Sequence, residues 1–219
     1  MVVAAVTDVA AAQEVTVAIK ALGGEAISVM ADVSQRAEVD ALVQAALDRF
    51  GKVDILVNNA GILSPTPLLQ MTESQWDRTM EVHLKGTFNC TQAVAQHMKD
   101  RGGGKIINVA TPSVVRASTL GVADYAAAKG GIVAFTKTAA MELAPSRITV
   151  NCIIPAVSTR MTDRLMEVDQ STLEQRATRV PLGWFGQPED AAPAFGVFAG
   201  KDADYITGQV LAVDGGSTL

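Results

Sequence analysis

The sequence predicts an α/β fold built on a doubly wound parallel sheet. Short β-branched runs alternate with longer segments of helical periodicity. The runs are apolar throughout rather than alternating, the pattern of strands covered on both faces. Polar residues gather just after several of the strand candidates, where ligands of open parallel sheets bind. VVAAV (2–6) is the first strand, followed by a helix carrying Val9, Ala12, Val15, Ile19 and Leu22 at helical spacing and closed by Gly23-Gly24. AISVMA (26–31) is the second strand. The next helix shows Val39, Leu42, Val43, Ala46 and Phe50 on one face and stops at Gly51. DILVN (54–58) is the third strand, expected to be buried on both faces. Thr72 and Gln75 have capping-box spacing and open a long helix that ends before Gly102. KIINVA (105–110) is the fourth strand, and the helix after it runs to Pro145. RITVNCI (147–153) and GQVLAV (208–213) complete the set, with a helix beginning near Pro188 between them. Pro193 falls inside that helix and costs on the order of 3 kcal/mol unless a kink absorbs it.

Composition narrows the function classes. The 219 residues, 48% hydrophobic, are enough to bury the core of one domain spanning the chain. A net charge of −5 without a basic block argues against nucleic acid as a partner. Cys90 and Cys152 are the only cysteines and form no CxxC, which fits a reducing compartment. With only His83 and His97 besides, His and Cys cannot assemble a metal cluster. No apolar run approaches the roughly 18 residues of a membrane span. A cytoplasmic protein acting on a small molecule is the expectation.

ADYAAAKGG (123–131) holds the most specific chemistry. Tyr125 and Lys129, four apart on a helix, share one face. A phenol ionises near pH 10, and a nearby ammonium favours the phenolate. The pair is a candidate general acid/base, whose ordinary alternative is a half-buried tyrosine beside a surface lysine. The polar residues that follow the strands favour the first: Asp32 after the second, Asn58 and Asn59 after the third, Thr111 and Ser113 after the fourth, Thr159 beyond the fifth.

NNAG (58–61), YAAAK (125–129), Asp32-Val33 and the tail PLGWFGQPED…YITGQVLAVDGG occur in the order of the short-chain dehydrogenase/reductase family, and the chain resembles that family along essentially its whole length. The resemblance implies a Rossmann-like sheet, an NAD or NADP cofactor, and hydride exchange between a secondary alcohol and a ketone, including compounds of 3-oxoacyl type. It implies a homo-oligomer, a dimer or tetramer. By position Tyr125 would exchange the proton, while Lys129 would lower its pKa and hold the nicotinamide ribose. Asp32 would accept from the adenine amino group, with the Val33 backbone beside it. Asn59, Ala60 and Gly61 would line the adenosine side; Asn58 would tie strands together. Val157 and Thr159 would touch the nicotinamide end.

The sequence also departs from the family. The catalytic serine's usual place, thirteen residues before the tyrosine, is Pro112, which has neither hydroxyl nor N–H. Counting from the strand gives Thr111 instead, with Ser113 as the alternative. His83 stands where the family often has an asparagine supporting a proton-relay water, and a plain packing role weighs equally. Pro155-Ala156 replaces the usual Pro-Gly. Val6 falls at the ribose-selecting position, with Asp8 two residues on and no base nearby, which leans towards NAD. No strand–glycine–helix turn for the pyrophosphate is found. By the resemblance, a first β-α unit is missing ahead of Met1, and its strand would lie between the first and third strands here. A misassigned start, a truncation and a real loss all account for that. Without the unit, the 219-residue chain is expected to bind NAD(H) weakly and to be prone to association. The second reading, of a different class, is a non-catalytic fragment or scaffold using the helices at 73–100 and 121–144.

Overall fold

A computed structural model describes residues 2–5, 8–117, 119–159, 161, 177–178 and 180–219. The strands are β1 (Val2–Ala5), β2 (Ile27–Met30), β3 (Ile55–Asn58), β4 (Gly104–Val109), β5 (Ile148–Pro155) and β6 (Val210–Val213). The helices are α1 (Val9–Ala21), α2 (Arg36–Phe50), α3 (Glu73–Met80), α4 (Gly86–Asp100), α5 (Ala123–Leu143) and α6 (Pro188–Ala199). Each lies within a few residues of its sequence-based position. Pro188 opens α6, and the helix continues through Pro193.

Local chemistry explains the boundaries. Gly23 at φ +80° lets its N–H reach the Lys20 carbonyl while that of Gly24 reaches Ile19, a Schellman closure of α1. Gly51 at φ +72° ends α2 in the same left-handed region. Thr72 and Gln75 form the capping box of α3. Between α3 and α4 the chain stays helical but widens into one π-turn, Glu81–Lys85. Such turns bulge the helix and change the direction in which side chains leave it.

All pairings are parallel, with the order β3-β4-β5-β6 in one sheet and β1-β2 in another. The parallel strands therefore fall into two groups. Among the described residues the break falls between the β1-β2 pair and the sheet that begins at β3. Two layers of helix cover the four-stranded part. On one face Val43, Val94, Met98, Ala139 and Ala140 pack on Ile106, Ile148 and Val150. On the other, Phe198 of α6 packs on Ile107 and Ile153.

The expectation that β3 is buried on both faces is corrected. Ile55 and Val57 are each 44% exposed, while Leu56 packs into the core. Register sets Val57 beside Ile107, on the α6 face. α6 covers Ile107 but stops short of β3, so the outermost strand of this sheet keeps one apolar face open.

At the carboxyl end of the sheet the core becomes polar. Asn58 donates to Asn108 Oδ1 at 2.8 Å and to the Thr91 hydroxyl at 3.2 Å. Asn108 in turn donates to Thr136 Oγ1 at 2.9 Å. Asn58 thus ties β3 to β4 and α4, as expected. Asn58→Ala strands two buried partners, and urea unfolding should show a loss of about 1–3 kcal/mol.

Candidate active site

The residues that the sequence places after β4 and on α5 meet in the structure. Thr111, two residues beyond β4, is buried, and its side chain acts on the ionisation of the Tyr125 phenol. Pro112 opens a 3-10 turn that carries Ser113. Of the two candidate hydroxyls, Thr111 is the one that acts on the tyrosine's ionisation. The extra residue is absorbed by the turn, as loop geometry allows and strand register does not.

Lys129 lies one helical turn from Tyr125 and is only 3% exposed. Its ammonium donates to the Val109 carbonyl at 2.7 Å and lies 5.7 Å from the Tyr125 ring centroid. Burial pulls the lysine down to about 8. The expectation that Lys129 draws the phenol below its ordinary range is corrected: burial pushes Tyr125 up, and the Thr111 hydrogen bond offsets that only in part. The ammonium is aimed at the strand rather than at the phenol, so the two effects of burial dominate.

His83 sits in the π-turn, 1% exposed and edge-on to the Tyr125 ring at 5.1 Å. Its Nε2 is 2.7 Å from the Ile62 carbonyl and 3.1 Å from the Ile62 N–H. Nδ1 has no partner. The ring also explains Gly61: a Cβ there would lie 2.4 Å from His83 Cε1. The glycine of NNAG is required by this histidine whatever approaches from the other side. Burial and the Lys129 charge, opposed by the Ile62 contact and the Asp124 charge, bring His83 down to about 4.

Asn59, Ala60 and Gly61 are exposed at the end of β3, beside the break in the sheet. Asp32 is held by the Ser34 N–H and hydroxyl at 3.0 and 2.8 Å and by Arg78 at 2.8 Å. Burial pushes its carboxyl up, but the Ser34 and Arg78 contacts outweigh this and hold it below the usual range. Val33 is buried against Gly86, and its carbonyl accepts from Asn89 at 2.9 Å. Val157 forms a parallel bridge with Gly186, and half-buried Thr159 follows two residues on. Val6 and most of the 156–187 segment lie outside the described residues. Asp8, the acid behind the NAD expectation, caps α1 by accepting from the Ala11 N–H at 2.8 Å.

These groups fit the donors that a dinucleotide needs. Lys129 keeps N–H bonds beyond the one given to Val109, and the backbone of 59–61 is open to contact. For the pyrophosphate, no glycine-rich turn joins a strand to a helix among the described residues. Thr79 and Asp124 are missed by the sequence reading: a 2.6 Å hydrogen bond joins them beside this group. The only sequence signal was the place of Asp124 next to Tyr125.

Fold and site together describe a hydroxyl–phenol–lysine group at the carboxyl end of a parallel sheet. The family described as Enoyl-(Acyl carrier protein) reductase matches residues 1–218. The hydroxy(phenyl)methyl-succinyl-CoA dehydrogenase subunit BbsD of Thauera aromatica is 42% identical over 200 residues, 91% of this chain and 79% of that protein. The 3-oxoacyl-(acyl-carrier-protein) reductase of Synechocystis is 41% identical over 211 residues, 95% of this chain and 83% of its own length. Among solved structures, a gluconate 5-dehydrogenase of Burkholderia cenocepacia in complex with NADP and tartrate superposes with a TM-score of 0.89 at 33% identity, covering 99% of this chain and 84% of that one. The chain belongs to the short-chain dehydrogenase/reductase family of NAD(P)-dependent oxidoreductases.

The position of His83 gives an acid-stability prediction. The unfolded histidine takes up a proton near 6.5 and the folded one only near 4. Between these values the unfolded state binds more protons, so stability falls as pH drops through that window. In thermal melts from pH 7 to 4.5, His83→Asn should flatten the decline.

Proposed function

We propose that the protein reduces a 3-oxoacyl thioester to the 3-hydroxy compound, or runs the reverse oxidation, within one catalytic domain. The Tyr125–Lys129 pair, with the buried ammonium 5.7 Å from the phenol ring centroid, carries this reading. The names of the relatives, 3-oxoacyl-(acyl-carrier-protein) reductases and a hydroxy(phenyl)methyl-succinyl-CoA dehydrogenase subunit, support the substrate class. The bound nicotinamide supplies or accepts the hydride at the substrate carbon. Thr111 donates a hydrogen bond that fixes the substrate oxygen. Tyr125 delivers a proton to that oxygen in reduction and removes it in oxidation. Lys129 holds the ribose hydroxyls, and its nearness to neutrality lets it replenish the tyrosine proton.

His83 keeps its Nδ1 for a relay water, the role an asparagine fills in the family. Asp32 and the Val33 backbone meet the adenine, and Asn59, Ala60 and Gly61 the adenosine. Val157 and Thr159 approach the carboxamide. NAD(H) is the preferred cofactor on this reading, because no basic residue accompanies Asp8 in sequence to receive a ribose phosphate. The buried, unpaired Cys90 and Cys152 are compatible with action in the cytoplasm. Assembly into a dimer or tetramer is supported by a groove on the outer face of α3, the π-turn, α4 and α5. Met80, Leu84, Phe88 and Phe135 line it, bordered by Asp77, Glu81 and Lys85. Apolar residues at i, i+4 form one face, and a mixed-charge border is compatible with a two-fold contact.

Turnover of acetoacetyl-CoA, followed by reduced-nicotinamide absorbance with each cofactor in turn, tests the proposal. Tyr125→Phe should lower kcat by roughly 10²–10⁴ without altering the fold; turnover within a few-fold of the parent removes Tyr125 from the reaction. In the same assay Thr111→Ala should impair turnover far more than Ser113→Ala, and the opposite ranking would give the role to Ser113.

A further inference from the structure

Asp124 takes no part in the acid–base reading, yet its carboxylate is engaged at both oxygens. It is 5% exposed, in the first turn of α5. Oδ2 accepts from the Thr79 hydroxyl at 2.6 Å, and Oδ1 accepts from the Tyr125 N–H at 2.8 Å. The first four N–H groups of a helix lack intrahelical partners, and an N-cap side chain commonly takes one. The N-cap of α5 is Val122, which offers no side-chain bond. Asp124 supplies that bond from within the turn and places a negative charge at the positive end of the helix. Thr79 belongs to α3, four residues ahead of His83. The two helical segments that present His83 and Tyr125 to each other are therefore fastened through one carboxylate.

We propose that Asp124 is a positioning residue: by joining the Tyr125 N–H to Thr79 it fixes the tyrosine against the Thr111 hydroxyl. The effect on turnover rests on the role given to Tyr125 above; the clamp itself is a property of the backbone. Amide hydrogen exchange at Tyr125, with steady-state kinetics, tests both in Asp124→Ala, Thr79→Val and Asp124→Asn. Asparagine keeps both contacts, its oxygen accepting from Tyr125 and its amide donating to Thr79. Alanine should speed exchange at the Tyr125 amide relative to the second half of α5. It should also lower kcat about tenfold at little-changed KM, as expected for a misplaced reacting group. Thr79→Val should show both effects in smaller measure, and asparagine should restore both. Unchanged Tyr125 exchange in both Asp124→Ala and Thr79→Val overturns the clamp. Faster exchange with unaltered kcat overturns the positioning role, as does asparagine behaving like alanine. If the alanine variant fails to fold, Thr79→Val decides. An active Tyr125→Phe would overturn the proposed function while leaving the exchange result intact.

Discussion

The parallel register of β3, β4 and β5 is the constraint on which the site depends, and buried amides lock it at the carboxyl end. A one-residue slip of β3 would turn Asn58 away from Asn108 and expose Leu56 in place of Val57. The same amide chain passes to α5 through Thr136, and Lys129, seven residues earlier, reaches the carbonyl of Val109. Two turns of α5 are thus pinned to consecutive residues of one strand. With the helix fixed in height and rotation, Tyr125 stands over Thr111, whose own position is set by the end of that strand.

Burial then sets the electrostatics. Two cationic groups, His83 and Lys129, are enclosed near one another, and each is driven towards its neutral form. Asp124 lies on the opposite side of the balance, raising His83 slightly while staying hydrogen-bonded to Thr79 and Tyr125. A lysine near 8 stays mostly protonated at neutral pH but gives up its proton far more readily than a surface lysine. That is a useful property beside a phenol whose ionisation burial opposes.

The split sheet bears on how much of a dinucleotide site these residues build. Tyr125 and Lys129 are organised by α5 and β4, deep in the four-stranded sheet. Asp32 and residues 59–61 follow the ends of β2 and β3, which belong to different sheets. Arg78 bridges them in part, reaching from α3 to Asp32. The curated relatives described above extend beyond the matched region, which spans 79–83% of their length.

Local signals were legible because neighbouring residues alone satisfy them. The Schellman closure at Gly23-Gly24, the left-handed Gly51 and the Thr72–Gln75 box each need only a few consecutive residues. The Tyr125–Lys129 spacing was legible for the same reason: helical geometry fixes it. The burial of β3 was not, because coverage of Ile55 and Val57 depends on how far a helix more than 130 residues away extends. The hydroxyl beside Tyr125 was narrowed to two candidates by sequence, since a 3-10 turn could absorb the extra residue on either side, and Thr111 is the one buried. The sequence by itself determined the order of elements, the family and the helical spacing of Tyr125 and Lys129. Tertiary structure alone decided the direction of the Tyr125 ionisation, the fit of Gly61 against His83 and the contact of Asp124 with Thr79. Each of these arises from desolvation or contact between segments distant in the chain, which no local spacing encodes.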